Sequence, residues 1–454
     1  MKLILFIITS LCLFSCKKYL DVGTPRTQLS SATVFENDAT AIAAQMSIYA
    51  QMESGGLLFQ LSAYTGLSAD ELRNHSSQTT QADLSTNSLT ADNSLVYSLW
   101  TSLYRYIYFA NAVLEGIASS PAITPDVRNQ LNGEARFVRA YCHYYLVNLF
   151  GDVPVVSTTD YVANSIVSRS PVNDVYAFMI ADLDSARNLL SPQYKSGTNG
   201  STTERVRPNK WAATALLARL YLHLEQYSLA EEAATEVIDA TAYSLPADLN
   251  NSFLKGSTEA IFQLMAVLPR YNSYAGGSFI LQAAPSTISI RPDFINSFRG
   301  DDKRLQSWIK SITTPAGIFH FPYKYKAGQA VTTSTEYTIV LRLAEQYLIR
   351  SEARAMLDRM VESETDLSVI RQRAGLPAVN GLSKPALLDS IQLERKFELM
   401  FENGERWINL KRTGTADAVL GPLKAPDWVS TDQLYPIPQM ERLRNPNLSQ
   451  NPGY

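Results

Sequence analysis

The chain has 454 residues, of which 46% are hydrophobic, and its 40 Lys and Arg residues nearly balance 43 Asp and Glu residues, leaving a net charge of −3. No basic tract is present, so the composition argues against a nucleic-acid partner. The chain is longer than one hydrophobic core usually organises, which predicts either two lobes or an extended helical body carrying a second lobe.

The first residues of the chain, MKLILFIITSLCLFSC, indicate an export signal. The apolar run after Lys2 is too short to span a bilayer, which takes about 20 residues. Its end, Leu-Phe-Ser-Cys, resembles the bacterial lipobox Leu-x-Ser-Cys. We therefore expect residues 1–15 to be a signal peptide and Cys16 to become the lipid-bearing N-terminus. The alternative is an ordinary secretory signal with a cysteine there by chance.

Cysteine usage limits the covalent chemistry of the mature chain. The sequence contains 3 cysteines, of which Cys12 lies in the signal and Cys16 is the expected lipid site. Only Cys142 then remains, so no internal disulfide can form. Cys142 lies among tyrosines in a helical pattern, and we expect it to pack in the core rather than to act as a nucleophile.

Helical periodicity dominates residues 31–240. Apolar residues recur at three- and four-residue steps between 100 and 117, which predicts one helix. Residues 134–150 and 173–190 predict two more, the first of them stopped by Gly151 with a proline just beyond.

Residues 209–240 predict a helical hairpin. Within it, small and aromatic residues take the packing positions of a tetratricopeptide repeat, namely Ala218, Tyr221, Ala230 and Ala234. The other helix pairs look like diverged versions of the same unit, without a clean repeat period.

The middle of the chain, residues 244–337, has a different composition. Proline, glycine, serine and aromatic residues increase there, and the helical pattern fades. Residues 260–265 predict a short strand, 319–325 an extended segment, and 269–277 a loop. Binding residues concentrate in loops held by a rigid scaffold.

The helical pattern returns at Val340 and predicts helices through residue 355, at 367–373 and at 387–410, before an extended tail. These patterns predict a mainly α protein, with a tetratricopeptide-like helical hairpin scaffold and an irregular, loop-rich ligand-binding lobe that contains short strands. Beyond the signal peptide, we expect an N-terminal helical region at 16–240. We expect a C-terminal region at 241–454, made of the irregular middle and the closing helices.

Three carboxylates, Glu394, Glu398 and Glu402, recur every fourth residue and share one helix face. A hydrolase would use two such groups as acid and base. Like charges at this spacing repel unless they are neutralised, so we expect them to pair with Arg395, Arg406 and neighbouring helices. Asp301 and Asp302 also stand beside basic residues, and we expect these two carboxylates to form ion pairs as well.

No catalytic motif is present. Four histidines are scattered without a zinc-binding spacing, and neither a nucleophile elbow nor a phosphate-binding glycine loop occurs. The sequence therefore favours a binding protein that is not an enzyme, with no metal site and no cofactor.

Several stretches together resemble the SusD/RagB family of Bacteroidota outer-membrane lipoproteins. They are FVRAY at 137–141, FGDVP at 150–154, RLAEQYLIRSEA at 342–353, IRQRAGLP at 370–377, ERKFEL at 394–399, YPIP at 435–438 and QNPGY at 450–454. The resemblance covers nearly the whole chain, and its C-terminal motifs are specific.

The resemblance implies a function. Members of this family are lipid-anchored lids on a partner TonB-dependent, SusC-like outer-membrane transporter. They capture glycans or oligosaccharides, or in some cases peptides, and deliver them to the transporter without altering them chemically. This implies an outer-membrane protein that is lipid-anchored and faces the cell exterior.

Loop aromatics are the candidate ligand contacts. A sugar ring can lie on a flat aromatic ring while its hydroxyl groups bond to Asn, Asp or Arg, and Tyr271, Asn272 and Tyr274 fit that chemistry. The resemblance adds further candidates in a polar stretch where the family often places ligand contacts. They are Asp70, Arg73 and Asn74. Weaker candidates are Tyr64 and Trp428. Two alternatives stay open at this point, a tetratricopeptide-type protein-interaction scaffold without a small ligand and a peptide-binding RagB-like protein.

Overall fold

The computed structural model describes residues 34–266, 273–329 and 331–454. The predicted signal peptide, Cys16, Tyr271 and Asn272 lie outside the described residues. The helices, in chain order, are α1 (Asp38–Ser54), α2 (Leu57–Ser68), α3 (Thr79–Thr86), α4 (Ser94–Ser119), α5 (Pro125–Phe150), α6 (Tyr161–Asn164), α7 (Val172–Leu189), α8 (Lys210–His223), α9 (Tyr227–Ile238), α10 (Tyr274–Phe279), α11 (Pro292–Asn296), α12 (Lys303–Ser307), α13 (Leu343–Met356), α14 (Met360–Arg373), α15 (Lys384–Glu398), α16 (Glu405–Arg412), α17 (Ala416–Lys424) and α18 (Gln439–Arg444).

The strands of the described chain are short and pair two by two, as antiparallel ladders. They are β1 (Leu72–Asn74), β2 (Ala260–Leu264), β3 (Ile288–Ile290), β4 (Ile309–Thr314), β5 (Gly317–Pro322) and β6 (Thr338–Arg342). β1 pairs with β3, β2 with β6, and β4 with β5. Every residue of β2 and β6 is buried, so this pair belongs to the core. The prediction of a mainly α fold with short strands in an irregular lobe is confirmed.

The longer helices form an array in which chain neighbours pack together. Contacts run from α4 to α5, from α5 to α7, from α7 to α8 and from α8 to α9. α9 then packs against α13, although residues 239–342 separate the two in sequence, and α13 packs against α14 and α15. Each helix buries its apolar stripe on its neighbours, as in other helical repeat proteins. The irregular middle is therefore an insertion between two adjacent helices of one array.

The predicted hairpin at 209–240 corresponds to α8 and α9. Ala218, Ala230 and Ala234 are fully buried between the helices, and Tyr221 is only 9% exposed. Small side chains let the two helix axes approach, as the repeat pattern predicts. The predicted packing role of Cys142 is also confirmed, since its side chain is fully buried in α5.

One predicted helix start is wrong. α5 begins at Pro125, whereas the sequence pattern placed its start at Glu134. Proline fixes a helical φ and needs no hydrogen-bond partner at a first helical position, so it opens the helix well. The first turns carry only Val127 and Leu131 as buried apolar residues among polar ones, which weakens the periodic signal.

The predicted long helix at 387–410 is also wrong, because it is two helices, α15 and α16. Between them the backbone takes positive φ at Phe401 (58°), Asn403 (48°) and Gly404 (78°). An α-helix cannot continue through left-handed residues, and an Asn-Gly pair favours such a turn. The predicted helix start at Val340 fails for a related reason, since residues 338–342 extend as β6 and the helix begins at Leu343.

Among the described residues, no helix combines the length and the apolar character that crossing a bilayer requires.

Candidate ligand-binding surface

Asp70, the first of the predicted contact residues, follows α2 and is almost buried. Its carboxylate accepts hydrogen bonds from Arg406 at 2.7 and 2.8 Å and lies 3.3 Å from the Lys396 ammonium. Burial alone would raise the pKa of this carboxyl, but Arg406 and Lys396 lower it to about 2. Asp70 is thus a fixed anion that joins β1 to the closing helices. Its role as a ligand contact stays a prediction.

Arg73 and Asn74 lie on β1, in register with Ser289 and Ile288 of β3. The Asn74 amide turns back on the chain: it accepts a hydrogen bond from the Ser76 backbone N–H at 2.8 Å and donates to the Ser76 carbonyl at 3.1 Å. Arg73 is exposed, and within residues 34–266, 273–329 and 331–454 its guanidinium has no ion pair and no hydrogen bond. Its donors are therefore free for a ligand.

A histidine and a phenylalanine complete this surface, and the sequence did not single out either as a contact. His75 follows β1, and its Nε2 lies 2.8 Å from the Ser289 hydroxyl. Its ring meets the edge of Phe319 on β5, with centroids 5.4 Å apart and planes at 83°. Burial and the Arg73 charge both lower the pKa of His75, so the imidazole is neutral at neutral pH. Both rings are half-buried.

We call Arg73, Asn74, His75 and Phe319 together the β1–β5 surface. It presents a guanidinium with no partner among the described residues next to a half-exposed aromatic ring. The Asn74 amide and the His75 imidazole beside them already bond to Ser76 and Ser289 and have only their remaining hydrogen-bonding capacity to offer. These are the groups that hold a sugar, because the ring takes its apolar C–H face and the polar groups take its hydroxyls. The pattern at 319–325 predicted an extended segment but could not show that Phe319 meets His75, which is remote in sequence.

Tyr274 belongs to a second group of rings, next to α2. Its ring centroid lies 5.6 Å from that of Phe59, and its backbone N–H donates to the Glu53 carboxylate at 2.8 Å. Burial raises the pKa of Glu53 to about 7. The pKa of Tyr64 is raised to about 12, mainly by burial and to a smaller extent by the Tyr274 phenol. Phe59, Tyr64 and Tyr274 are all half-buried, so each of the three rings keeps some exposed surface.

Trp428, the other weak candidate, is held in place by its neighbours. Its indole N–H donates to Asp417 at 3.0 Å, and its ring lies 6.1 Å from that of Trp407. The indole donor is therefore already used within the protein.

The helical carboxylates are committed to buried ion pairs. Glu398 lies 2.6 Å from Arg342 and 3.2 Å from Arg304, and it also pairs with Arg373. Glu394 lies 2.6 Å from Arg304, and Glu402 lies 2.8 Å from Arg342. The predicted structural role is confirmed, and the opposing cations leave these groups unsuited to act as acid and base.

Two of the predicted partners, Arg395 and Arg406, are wrong. Arg395 pairs with Glu405 at 3.3 Å and Arg406 with Asp70, because the turn at 401–404 redirects the chain between α15 and α16. The predicted pairing with neighbouring helices is confirmed by Arg304 on α12 and Arg373 on α14, and Arg342 of β6 adds a partner that was not predicted. Asp301 and Asp302 behave as expected, pairing at 3.2 and 2.7 Å with Arg299 and Arg304 respectively.

Among the described residues, no group of three His, Cys, Asp or Glu side chains could hold a metal ion.

Two family models match the chain. One, described as starch-binding associating with outer membrane, matches residues 18–222. The other, that of the SusD family, matches residues 313–427. The chain belongs to the SusD/RagB family. Among SusD relatives, "SusD-like protein P2" of Formosa agariphila is 26% identical over 99% of each chain, and "SusD-like protein P25" of the same organism is 24% identical over 100% of this chain and 99% of its own.

Solved SusD structures share the fold. A SusD superfamily protein from Parabacteroides distasonis has a TM-score of 0.78 at 22% identity, and the match covers 94% of this chain and 100% of that one. A structure described as a laminarin-binding SusD-like protein has a TM-score of 0.73 at 21% identity, covering 92% of this chain and 99% of its own. At these identities the likeness shows the fold alone.

Proposed function

We propose that this chain is an outer-membrane, lipid-anchored glycan-binding protein that captures oligosaccharides and passes them to a TonB-dependent, SusC-like transporter. The observation that carries the proposal is the β1–β5 surface, where Arg73 has no partner among the described residues and the Phe319 ring is half-exposed. The family model for the N-terminal half names starch binding, and one structural neighbour binds laminarin. Both support a glycan as the ligand.

The size of the contact suits reversible capture. An aromatic contact contributes on the order of 0.5–1.5 kcal/mol, as for aromatic pairs, and each hydrogen bond adds about 0.5–1.5 kcal/mol. A surface with one ring and three polar groups therefore supports binding weak enough for release to a transporter. Glycans that also reach the rings beside α2 would gain further contacts.

The anchor and the membrane are proposed from the N-terminus and the family. Cys16 ends a lipobox-like run, and the family model that matches residues 18–222 is described as associating with the outer membrane. We propose that Cys16 carries the lipid and that the protein faces the cell exterior, where glycans arrive. Two or more acyl chains hold a protein firmly, at ~0.8 kcal/mol per buried methylene.

The proposed protein does no chemistry on its ligand. A glycosidase needs two carboxyl groups that face one cleft, either about 5–5.5 Å or about 6.5–9.5 Å apart. The carboxylates at 394, 398 and 402 are instead neutralised by buried arginines, and no carboxylate belongs to the β1–β5 surface.

The proposal is tested with the mature chain on a glycan array, followed by calorimetric titration of the best ligand. We expect Phe319→Ala to weaken binding at least about fivefold, since the lost ring contact is worth ~1 kcal/mol. Ile318→Ala is the matched control, because Ile318 is 63% exposed on the opposite face of the same strand. Chromatography of the incubated glycan should show no cleavage.

Two results would contradict the proposal. One is an array on which no glycan binds, above all if a peptide library binds instead. The other is equal loss of binding in the Phe319 and Ile318 variants, which would show that binding does not depend on the β1–β5 surface.

A further inference from the structure

An open groove of about 490 Å³ runs along the β4–β5 hairpin. Among its lining residues are Lys310, Ile312, Phe321, Tyr323 and Lys326. Its volume is in the range of ordinary ligand sites.

The groove continues the β1–β5 surface. In the hairpin, Ile312 stands directly opposite Phe319, and Lys310 stands opposite Phe321. Directly opposed residues of an antiparallel pair share a face of the sheet, so Lys310, Ile312 and Phe321 lie on the face that carries Phe319. Residues two apart along a strand are about 7 Å apart. Because Lys310 stands opposite Phe321, two residues from Phe319, it lies roughly the length of one sugar unit from the Phe319 ring.

The groove is basic although the whole chain is slightly acidic. Two lysines line it, and none of its described lining residues is acidic. Both ammonium groups lie over the Tyr323 ring, with Lys310 at 4.8 Å and Lys326 at 4.3 Å from its centroid. The Tyr323 ring thus lies beside two like charges. Glu336 and Asp248 are the carboxylates that act on Lys326, and neither is among the described lining residues of the groove.

The two lysines differ in how they are held. The Lys326 ammonium donates to the Tyr323 carbonyl at 2.5 Å and to the Ser307 carbonyl, so the protein fixes its position. Glu336 accepts hydrogen bonds from the backbone of the same segment, outside the groove lining. Lys310 is exposed, and in the described part of the chain it has neither an ion pair nor a hydrogen bond.

We infer that the glycan bound by this protein is acidic, with carboxylate or sulfate groups that lie between Lys310 and Lys326 while Arg73 binds another. The inference rests on the proposed function and names its ligand class. Arginine binds carboxylate and sulfate-like oxygens through two parallel donors, whereas lysine acts as a point charge, so the three cations suit successive charged groups on one polymer. The half-exposed Phe319 ring would carry a sugar face.

The test titrates the mature chain with matched pairs of polymers that differ only in charge. One pair is de-esterified and fully methyl-esterified homogalacturonan, which tests carboxylate. The other is carrageenan and its desulfated form, which tests sulfate. We expect a charged member to bind at least about tenfold more tightly than its neutral partner, with affinity falling as NaCl rises from 50 to 500 mM.

Lysine variants locate the effect. Lys310→Gln and Arg73→Gln should each weaken acidic binding about twofold to fivefold, the usual worth of an exposed ion contact. Lys310→Glu should weaken it further. The matched control is Lys255→Gln, because the Lys255 ammonium also lies over a tyrosine, 5.3 Å from the Tyr337 ring, and does not line the groove. Melting curves confirm that each variant is folded.

The outcomes separate the two claims. Equal binding of charged and neutral polymers, or unchanged acidic binding in both Lys310 variants, would overturn the acidic-ligand inference and leave the proposed function standing. Binding of neutral glycans alone would do the same. If no glycan on the array or in the titrations binds, the proposed function fails and the inference fails with it.

Discussion

At the scale of single residues, burial sets the charge of Glu71. This carboxyl is 2% exposed and accepts a hydrogen bond from the Phe401 backbone at 2.9 Å. Burial raises its pKa to about 7, so the folded protein holds a proton that the unfolded chain loses near pH 4.5. Stability therefore falls as pH rises through this window, by up to ~3 kcal/mol from this one group.

We predict that Glu71→Gln stabilises the protein at pH 8 by ~1–3 kcal/mol and has little effect at pH 5, where the wild-type carboxyl is already neutral. Urea unfolding at both pH values measures the difference, with exposed Glu232→Gln as the control. An effect of Glu71→Gln that is the same at pH 5 and pH 8 would contradict this assignment.

Arg342 is the residue on which the buried ion pairs converge. It lies 2.7 Å from Glu259, 2.6 Å from Glu398 and 2.8 Å from Glu402, and it is 1% exposed. We predict that Arg342→Ala lowers the free energy of unfolding by ~3–5 kcal/mol, because it leaves buried carboxylates without their cation.

The control for Arg342 is Arg299→Ala. Arg299 pairs with Asp301 at 3.2 Å, but both side chains are more than half exposed, so the loss of Arg299 should hardly change the free energy of unfolding. Denaturant titration of both variants measures the contrast. Similar small losses in the two would show that the buried ion pairs of Arg342 stabilise the protein no more than the exposed Arg299–Asp301 pair does.

At the scale of elements, the turn between α15 and α16 positions the buried ion pairs formed by Glu394, Glu398 and Glu402. Gly404 has φ +78°, and a Cβ there would lie 3.1 Å from the Thr65 hydroxyl. We predict that Gly404→Ala destabilises the protein by ~1–2 kcal/mol through left-handed strain. Gly300→Ala is the control, since nothing lies within 4 Å of its added Cβ. Equal melting temperatures for the two variants would be evidence against a strained turn.

Elements with a strong local pattern were predictable. The hairpin at 209–240 and the strand at 260–265 depend on spacing and on β-branched or small residues within a short window, and both are confirmed. The break at 401–404 was missed because apolar spacing continues across it, while the Asn-Gly pair that causes it is a weak signal next to that periodicity. The start of α5 at Pro125 was missed because its first turns are mostly polar.

Long-range pairings could not be predicted in the same way. Nothing local to Asp70 indicates that Arg406 will neutralise it, and nothing local to His75 indicates that Phe319 will lie against it. Both contacts depend on how β1, β3 and the closing helices are brought together by the insertion between α9 and α13. The candidate surface was therefore half predicted, through Arg73 and Asn74, and half found from geometry.

At the scale of the whole molecule, the proposed attachment to the membrane depends on one residue, Cys16. We predict that Cys16→Ala, expressed as the full chain, gives a folded protein that leaves the membrane fraction. The wild-type chain should stay with membranes after a high-salt wash, because acyl chains and not charges hold it. Fractionation and immunoblotting measure this. A variant that still sediments with washed membranes would show that another feature anchors the chain.

The proposed function depends above all on the binding of a glycan at the β1–β5 surface. A crystal structure of the mature chain with the tightest oligosaccharide from the array tests it most directly. We predict a sugar ring against Phe319, with its polar groups bonded to Arg73 and Asn74, and the chain continuing toward Lys310. A glycan seated elsewhere, with this surface bare, would contradict the account.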